Sequence, residues 1–523
     1  MNKTALFSLI FVSAFALFSC SKKTSLESSI PSDAMMISHY DVKKMVQKAD
    51  FNLFENTNIV AFLDIFKSHL LPEQQELLTD FTKNPNSTGI DFLSDFYFFS
   101  RQNSAVFVFP VNDAKKLYNS ILAIDKGQKN NIKQSSNEYS LELPFFGSLA
   151  WNKSKLIVLI DNRLSAVLAK DFLHLKKEES FEVADNYKLF VDAKSDITTC
   201  YLLKNFSGIF ENLPMQNIEY QSIIESFEQI LAKLDMSVIS FVSFEKGLAN
   251  VCCKTVFATP ESEQFYHHLS SFNRKIEGNL LKFIPENPIL CIAANCDGET
   301  LLADYDKLGF TPIFETLNKE YNIDYQELIS AFCGDMVLSL NSMNYQTTTD
   351  FEQDSWGVAQ VKPNPAISFY AEVKNSESFK KLLEKYISKY LPNAKKNKEN
   401  SYSIEKNIVF GLNDNIFYIT ANNSGKSNFF ASNIDNPLID KIKGQQMYFG
   451  GDLRTLKNEY IAANGGEFAN KLMVDALSLV KTFGTEYIDN QTFEVNVNFT
   501  DKTKNSLALI CVLLEELINE YLN

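Results

Sequence analysis

Arginine is nearly missing from this chain. Only Arg101, Arg163, Arg274 and Arg454 stand among 50 basic residues, against 64 acidic ones and a net charge of −14. Arg is the usual reader of phosphates and base edges, so an acidic chain this poor in it makes a bad nucleic-acid partner. Glycine (18) and proline (14) are scarce in 523 residues, which excludes collagen-like and linker-dominated architectures. There are two tryptophans and five histidines. No His-Glu-x-x-His zinc motif, no Cys-x-x-Cys pair and no Gly-x-Ser-x-Gly nucleophile elbow occurs. What the chain has in quantity is apolar mass: 45% hydrophobic residues, with 44 Phe and 21 Tyr. A large core is affordable, and the length suggests two to four domains at roughly 100–200 residues each.

The N-terminus reads as an address. Lys3 precedes an apolar run from Ala5 to Phe18, the length of a signal-peptide core and shorter than the roughly 20 residues a membrane helix needs. Leu17-Phe18-Ser19-Cys20 then resembles a bacterial lipobox. The resemblance implies cleavage before Cys20 and acylation of that cysteine, with several chains holding the bilayer stably. Residues 1–19 are thus the signal peptide and 20–29 the lipid-anchored tether. The mature charge becomes 49 − 64 = −15, since only Lys3 is removed. Ser21 is not the Asp that retains enterobacterial lipoproteins at the inner membrane, and no acidic export cluster follows. By analogy the expectation is an outer-membrane anchor with the body facing the periplasm. Leu507–Leu514 is too short to span a bilayer and ends at Glu515 and Glu516.

Self-similarity over roughly 250 residues organises the rest and reads as a domain duplication. Ile30-Pro31-Ser32 and Ile284-Pro285-Glu286 each open an apolar stretch. Phe92–Phe98 matches Phe332–Leu338, and strand-like Ala105–Phe109 with helix Asp113–Leu122 matches Ala366–Tyr370 with helix Ser376–Tyr390. Leu156–Ile160 pairs with Ile416–Thr420, and Tyr187–Val191 loosely with Met447–Gly450. Each copy closes on a helix, Ser262–Phe272 and Lys504–Tyr521. The expected architecture is α+β: two tandem homologous halves, 30–281 and 282–523, each a largely antiparallel sheet with helices packed on one face. Residues 341–362 look like a polar loop inserted in the second copy, and Lys395–Asn400 like a solvated loop.

The lipobox, the Ile30-Pro31-Ser32-Asp33 opening, the helix after it and the total length resemble a Bacteroidetes lipoprotein family catalogued as domain of unknown function 4836. The resemblance covers nearly the whole mature chain. It implies an exported protein and carries no catalytic or cofactor residues with it.

The candidate chemistry is thin. Gly425-Lys426-Ser427 follows a strand, as a phosphate loop does, but Thr420 stands where the first glycine belongs, and the other copy has Asp161–Ser165 with no glycine. The turn reads as architectural. The mature chain keeps Cys200, Cys252, Cys253, Cys291, Cys296, Cys333 and Cys511, an odd number. Five of them fall opposite apolar residues of the other copy, so they read as small core residues. Glu263 and His267, four apart on a helix, could chelate a metal, yet no third ligand is visible and a surface pair is the better reading. Asp95 and Asp335 are the one acidic position shared by both copies, and both read as turn or cap residues. Asp41, Asp113 and Ser376 read as helix N-caps.

No cofactor or metal site is expected, and the one site residue assigned is Cys20, for lipidation. Two functional classes stand. One is a non-enzymatic envelope lipoprotein that binds or scaffolds an envelope protein or glycan, its exposed sheet aromatics marking the partner surface. The other is a periplasmic hydrolase or glycan-active enzyme, which needs two carboxylates roughly 5–9.5 Å apart in one cleft.

Overall fold

The computed structural model describes residues 26–522 apart from 51–59, 61–62, 65–66, 102–103, 144–145, 162–167, 207–227, 232–233, 349–359, 398–399, 406, 423–429, 431 and 464–470. The chain forms two compact units that are not contiguous in sequence. Unit 1 holds the described residues up to Pro214, then Leu234–Ser262, then those from Lys502 onward. Unit 2 holds the described residues of Met215–Lys233 and Glu263–Asp501.

Among the described residues unit 1 has ten strands: β1 (Met36–Tyr40), β2 (Phe96–Arg101), β3 (Ser104–Pro110), β4 (Lys133–Ser135), β5 (Glu138–Leu143), β6 (Gly147–Trp151), β7 (Lys155–Ile160), β8 (Ile197–Leu202), β9 (Met236–Glu245) and β10 (Leu248–Phe257). They pair antiparallel in the order β4-β5-β6-β7-β3-β2-β1-β8-β9-β10. Successive residues of a strand point to opposite faces. The consecutive apolar residues Phe96, Tyr97, Phe98 and Phe99 therefore feed both faces. Tyr97 and Phe99 join Val106, Val108, Ile157 and Leu159 in one core, covered by the helix Ala169–Leu173 through Phe172. Phe96 joins Phe109, Leu156 and Trp151 in a second core, under Leu117 and Ile121 of the helix Ala114–Ile124. The expectation of helices on one face is thus corrected. The unbroken apolar runs of β2, β3 and β7 need burial on both sides.

The chain is fastened to unit 1 from Leu26 on, inside the 20–29 stretch read as tether. Leu26 and Ile30 are buried in the first core. Between them Tyr97 Oη donates to Glu27 Oε1 at 2.8 Å, and Lys155 Nζ donates to Ser28 Oγ at 3.2 Å and Ser29 Oγ at 2.5 Å. The Phe181 N–H then bonds the Ile30 carbonyl.

Gly147 opens β6 at φ +132°, where a Cβ would overlap the Leu159 carbonyl oxygen of the neighbouring strand. Gly147→Ala is expected to cost about 2–3 kcal/mol, from left-handed strain plus a displaced ladder. A urea titration followed by Trp151 fluorescence checks it.

Unit 2 also has a ten-stranded sheet: β11 (Leu290–Asp297), β12 (Phe332–Ser342), β15 (Ala366–Val373), β16 (Lys395–Lys396), β17 (Ser401–Ile404), β18 (Ile408–Asn413), β19 (Ile416–Ala421), β20 (Met447–Asp452), β21 (Val480–Tyr487) and β22 (Thr492–Phe499). Its antiparallel order is β16-β17-β18-β19-β15-β12-β11-β20-β21-β22. Position by position this is the order of unit 1. The inner core holds Ala293, Val337, Tyr370, Tyr418 and Tyr448 under Leu280, Leu281 and Ile442. The stretch expected as an inserted polar loop instead continues β12 and forms a separate ribbon, β13 (Gln346–Thr348) with β14 (Gln360–Lys362). The Lys395–Asn400 loop starts as the two-residue edge strand β16, and lysines there discourage a further strand from adding.

The last helix, Ser506–Leu522, belongs to unit 1 although it ends the second sequence half. Leu507 and Cys511 pack against Met45 and Ala49 of the helix Val42–Ala49. Asn505 Nδ2 donates to the Phe244 carbonyl and Ser506 Oγ to that of Leu248, both at 2.9 Å. Conversely, the chain from Glu263 onward joins unit 2, where Gln491 Nε2 donates to Glu263 Oε1 at 3.0 Å. Leu507→Ala is expected to cost about 2–3 kcal/mol as a cavity mutation. It should lower hydrogen-exchange protection in β1 and β8 of unit 1 and leave β11 and β12 unchanged. Among the described residues no helix is long and apolar enough to cross a membrane.

Candidate functional site

The sheet of unit 2 reverses the ordinary pattern of a half-solvated sheet. Its covered face carries a row of small polar residues, Ser339, Ser368 and Thr420, all buried. They share one strand-to-strand register, Ser339 opposite Ser368 and Ser368 opposite Thr420. Asn341 satisfies two of them, accepting from Ser339 Oγ at 2.6 Å and donating to Ser368 Oγ at 2.9 Å. One residue along, the opposite face carries an apolar row. Ile292 pairs with Leu338 and with Phe449, Leu338 with Phe369, and Phe369 with Ile419. Directly paired residues project from the same face.

At one end this row is covered. Phe410, paired with Ile419, lies under Ile387 of the helix Ser376–Tyr390. Phe369 packs against the buried cluster of Val373, Phe379, Leu412 and Phe417. The rest is open: Leu338, Ile419, Met447 and Phe449 are 37–44% exposed, and Ile292 is half-buried. Met447 and Phe449 alternate with buried Tyr448 on β20, so their exposure follows from strand geometry and not from fraying. Single exposed apolar residues are ordinary, whereas these adjoin one another across neighbouring strands.

Beyond that face lies a buried polar knot. Asp335 is fully buried, the fourth residue of β12 and not the turn residue expected. Its Oδ1 accepts from the Glu277 N–H at 2.9 Å and Asn295 Nδ2 at 3.0 Å. Its Oδ2 accepts from the Gly278 N–H at 2.6 Å and the Asn279 N–H at 3.2 Å. Arg274 Nε in turn donates to Asn295 Oδ1 at 2.7 Å. The carboxylate thus ties the segment before β11 to the sheet. Beside it Glu372 accepts from the Asp335 N–H at 2.7 Å and from Asn279 Nδ2 at 3.3 Å. Gly334, at φ +100°, has no room for a Cβ, which would meet the Glu372 carboxyl.

Burial pushes the Glu372 carboxyl above its ordinary value, and the nearby Asp335 and Glu277 charges add to the rise. Hydrogen bonds from the Asp335 N–H and Asn279 pull the other way. The folded chain therefore holds this proton more tightly than the unfolded chain. The stability contributed is complete below about pH 4.5 and falls as pH rises through the raised folded value. Glu372→Gln keeps an acceptor for the Asp335 N–H without the charge. Its advantage over the native chain in urea midpoint is expected to grow between pH 4.5 and pH 8. A midpoint difference that shrinks with pH would contradict the assignment.

Asp335 and Glu372 are a close carboxylate pair, but they do not make an enzyme's pair. A catalytic acid must touch its substrate, and both Asp335 oxygens are buried against backbone and amide donors. Asp95, which the sequence matched with Asp335, differs in character: it is half-exposed, with His39 Nε2 3.4 Å from Oδ2.

The other sequence candidates are placed as follows. Cys20, Gly425, Lys426 and Ser427 lie outside the described residues. Asp41 caps its helix by accepting from the Lys44 N–H, and Asp113 by accepting from those of Lys115 and Lys116. The cap expected at Ser376 is one residue earlier: Asn375 Oδ1 accepts from the Ser378 N–H. Cys200 and Cys291 are fully buried, and burial pushes both thiols up to about 12. Cys511 is pushed up to about 11 in the same way. Such thiols are poor nucleophiles. His267 Nε2 sits 3.7 Å from Glu263 Oε1, both groups half-exposed. Among the described residues no group of three or more His, Cys, Asp or Glu side chains is placed to hold a metal ion.

The outer apolar row was not singled out in the sequence. Its signal is faint: apolar and hydroxyl residues alternate at Leu338–Leu340 and Ile367–Tyr370, and alternation alone assigns the apolar set inward.

No curated protein and no solved structure is detectably similar to the chain. The family model described as a domain of unknown function (DUF4836) matches residues 26–507, from the first described residue to the first core residue of the last helix. With nearly its whole length matched, the chain belongs to the family of domain of unknown function DUF4836.

Proposed function

We propose that this chain is a lipid-anchored bacterial envelope protein that binds or scaffolds a partner, without catalysis, through the open apolar face of unit 2. The observation that carries the reading is the exposed run of Leu338, Ile419 and Phe449 around Ile292, on the side of the sheet opposite the inner core, next to the smaller cluster that takes up Phe369. Aliphatic and aromatic side chains in one plane suit the apolar core of a protein interface. A glycan site would need polar donors and acceptors converging beside an aromatic platform. The partner is therefore read as an envelope protein with a complementary apolar patch.

The anchor reading rests on the sequence around Cys20, with cleavage after Ser19, an outer-membrane location and the body facing the periplasm. The intact mass of the membrane-extracted protein tests it. A chain starting at Cys20 and carrying acyl mass is expected. A chain retaining residues 1–19, or an unmodified Cys20, would remove the anchor. The two units further read as products of an internal duplication, supported by their common order of ten strands. The partner surface is tested by photo-crosslinking from Phe449 in the full-length protein in its native envelope. A discrete adduct lost in Leu338→Lys is expected, and labelling no different from that at an exposed lysine such as Lys188 would oppose it.

A further inference from the structure

A pocket of about 420 Å³ opens in unit 1 beside the place where the chain enters the body. Its wall includes Asp33, Arg101, Phe172, Leu175, Glu178 and Glu179. Arg101 Nε and Nη2 donate to Asp33 Oδ2 at 2.9 and 2.6 Å. Nη1 of the guanidinium and Oδ1 of the carboxylate take no part in this pair. Glu178 is exposed and Glu179 is loosely held, its carboxylate 4.0 Å from Lys176. Phe172 is buried, shared with the core that holds Leu26 and Ile30, and Leu175 is half-buried. The pocket therefore presents a cation beside several anions, over an apolar floor.

We propose that this pocket seats a zwitterionic headgroup of the phosphoethanolamine class. Arg101 takes the phosphate, the carboxylates of Glu178, Glu179 and Asp33 take the primary ammonium, and Phe172 and Leu175 take the adjoining glycerol carbons. Arg suits phosphate because its planar fork offers several donors at once. The wall carries four carboxylates, Asp33, Asp171, Glu178 and Glu179, against the one guanidinium, so an anionic headgroup without the amine would be repelled and selectivity follows from charge. The source of the headgroup follows from chain length, and this step rests on the anchor reading. From Cys20 to buried Leu26 is six residue steps, about 20 Å when fully extended. Pro31, Ser32 and Asp33 of the pocket wall follow within seven residues of Leu26. A body tethered this closely keeps the pocket at the headgroup layer, where local headgroup concentration offsets weak intrinsic affinity.

The test is a titration of the full-length protein in a detergent free of phospholipid, read by protein NMR shifts. The probes are glycerophosphoethanolamine, glycerophosphoglycerol and free phosphoethanolamine. Saturable binding of glycerophosphoethanolamine is expected. It should weaken at least tenfold in Arg101→Gln and in the Glu178→Gln/Glu179→Gln double variant, with both variants matching the native circular dichroism. Equal binding of glycerophosphoglycerol, or binding untouched by either variant, would overturn the site. Free phosphoethanolamine bound tenfold more tightly than the glycerol diester would overturn the lipid source. The anchor fails separately: headgroup binding by a protein whose intact mass shows no acyl chain leaves the pocket standing and removes only its placement at the bilayer.

Discussion

Asp335→Asn is expected to destabilise the protein by about 3–5 kcal/mol, the range for breaking a buried, hydrogen-bonded charge network. The side chain is nearly the same size, so packing is not the cause. The carboxylate accepts from three successive backbone N–H groups, Glu277, Gly278 and Asn279, and from Asn295 Nδ2. Asparagine has one oxygen instead of two, and its amide nitrogen would turn donor against donor in a fully buried place. Each buried donor left without an acceptor costs about 1–3 kcal/mol. The loss should appear as a lower urea midpoint. Hydrogen exchange should speed first at Glu277–Asn279 and then in β11 and β12. Asp95→Asn is the internal control: Asp95 is half-exposed beside His39, and an exposed pair of this kind is worth about 0–1 kcal/mol. Equal losses at the two positions would mean that Asp335 is only a local turn residue.

The second large effect is on association. Leu338→Lys and Phe449→Lys each place a charge in the middle of the open row, and loss of partner binding by about a hundredfold is expected, equivalent to roughly 2–3 kcal/mol at an interface hot spot. The folded state should lose less. Both side chains lie on the face opposite the inner core and are 37% and 40% exposed, so Leu338→Lys should shift stability by less than about 0.5 kcal/mol. Phe449→Lys also loses the ring contact with Phe483 and should cost about 0.5–1.5 kcal/mol. That separation is the useful part. A residue that holds the fold together cannot be charged without unfolding, whereas a residue kept apolar for a partner can.

Parts of this fold were legible in the sequence for local reasons. Asp41 and Asp113 announce their helices because a cap is a contact over two or three residues. The helix Ser376–Tyr390 was legible too, though its cap is Asn375, since either side chain can accept from N3 and only the backbone turn decides. Tyr187–Val191, matched to a strand, is a helix that buries Phe190, and the strand of the common order is β8 further on. A five-residue apolar run carries too little periodicity to separate the two. The edge hairpins β5–β6 and β17–β18 went unassigned for the same reason.

The candidate sites were less legible. Asp335 meets its donors 40–58 residues earlier in the chain, and no spacing rule connects them. The outer row of unit 2 requires knowing which of two alternating sets faces the core. Here Ser339, Ser368 and Thr420 face in while Leu338, Phe369 and Ile419 face out. Hydropathy assigns these sets the other way round, because pattern reading assumes a sheet with no partner. The resemblance stated from the lipobox and the Ile30-Pro31-Ser32-Asp33 opening did reach the family, whose model begins at Leu26.

The most direct measurement of the central claim is a series of site-specific photo-crosslinks in the native envelope, one chain position at a time. Positions 338, 419 and 449 on the open face should give the same discrete adduct. Lys188, Glu178 and Lys395, exposed on other surfaces, should give none. Leu338→Lys should abolish the adduct at 419 and 449 while leaving the urea midpoint unchanged. Uniform labelling across both sets, or adducts that survive the charge at 338, would contradict a binding face on unit 2.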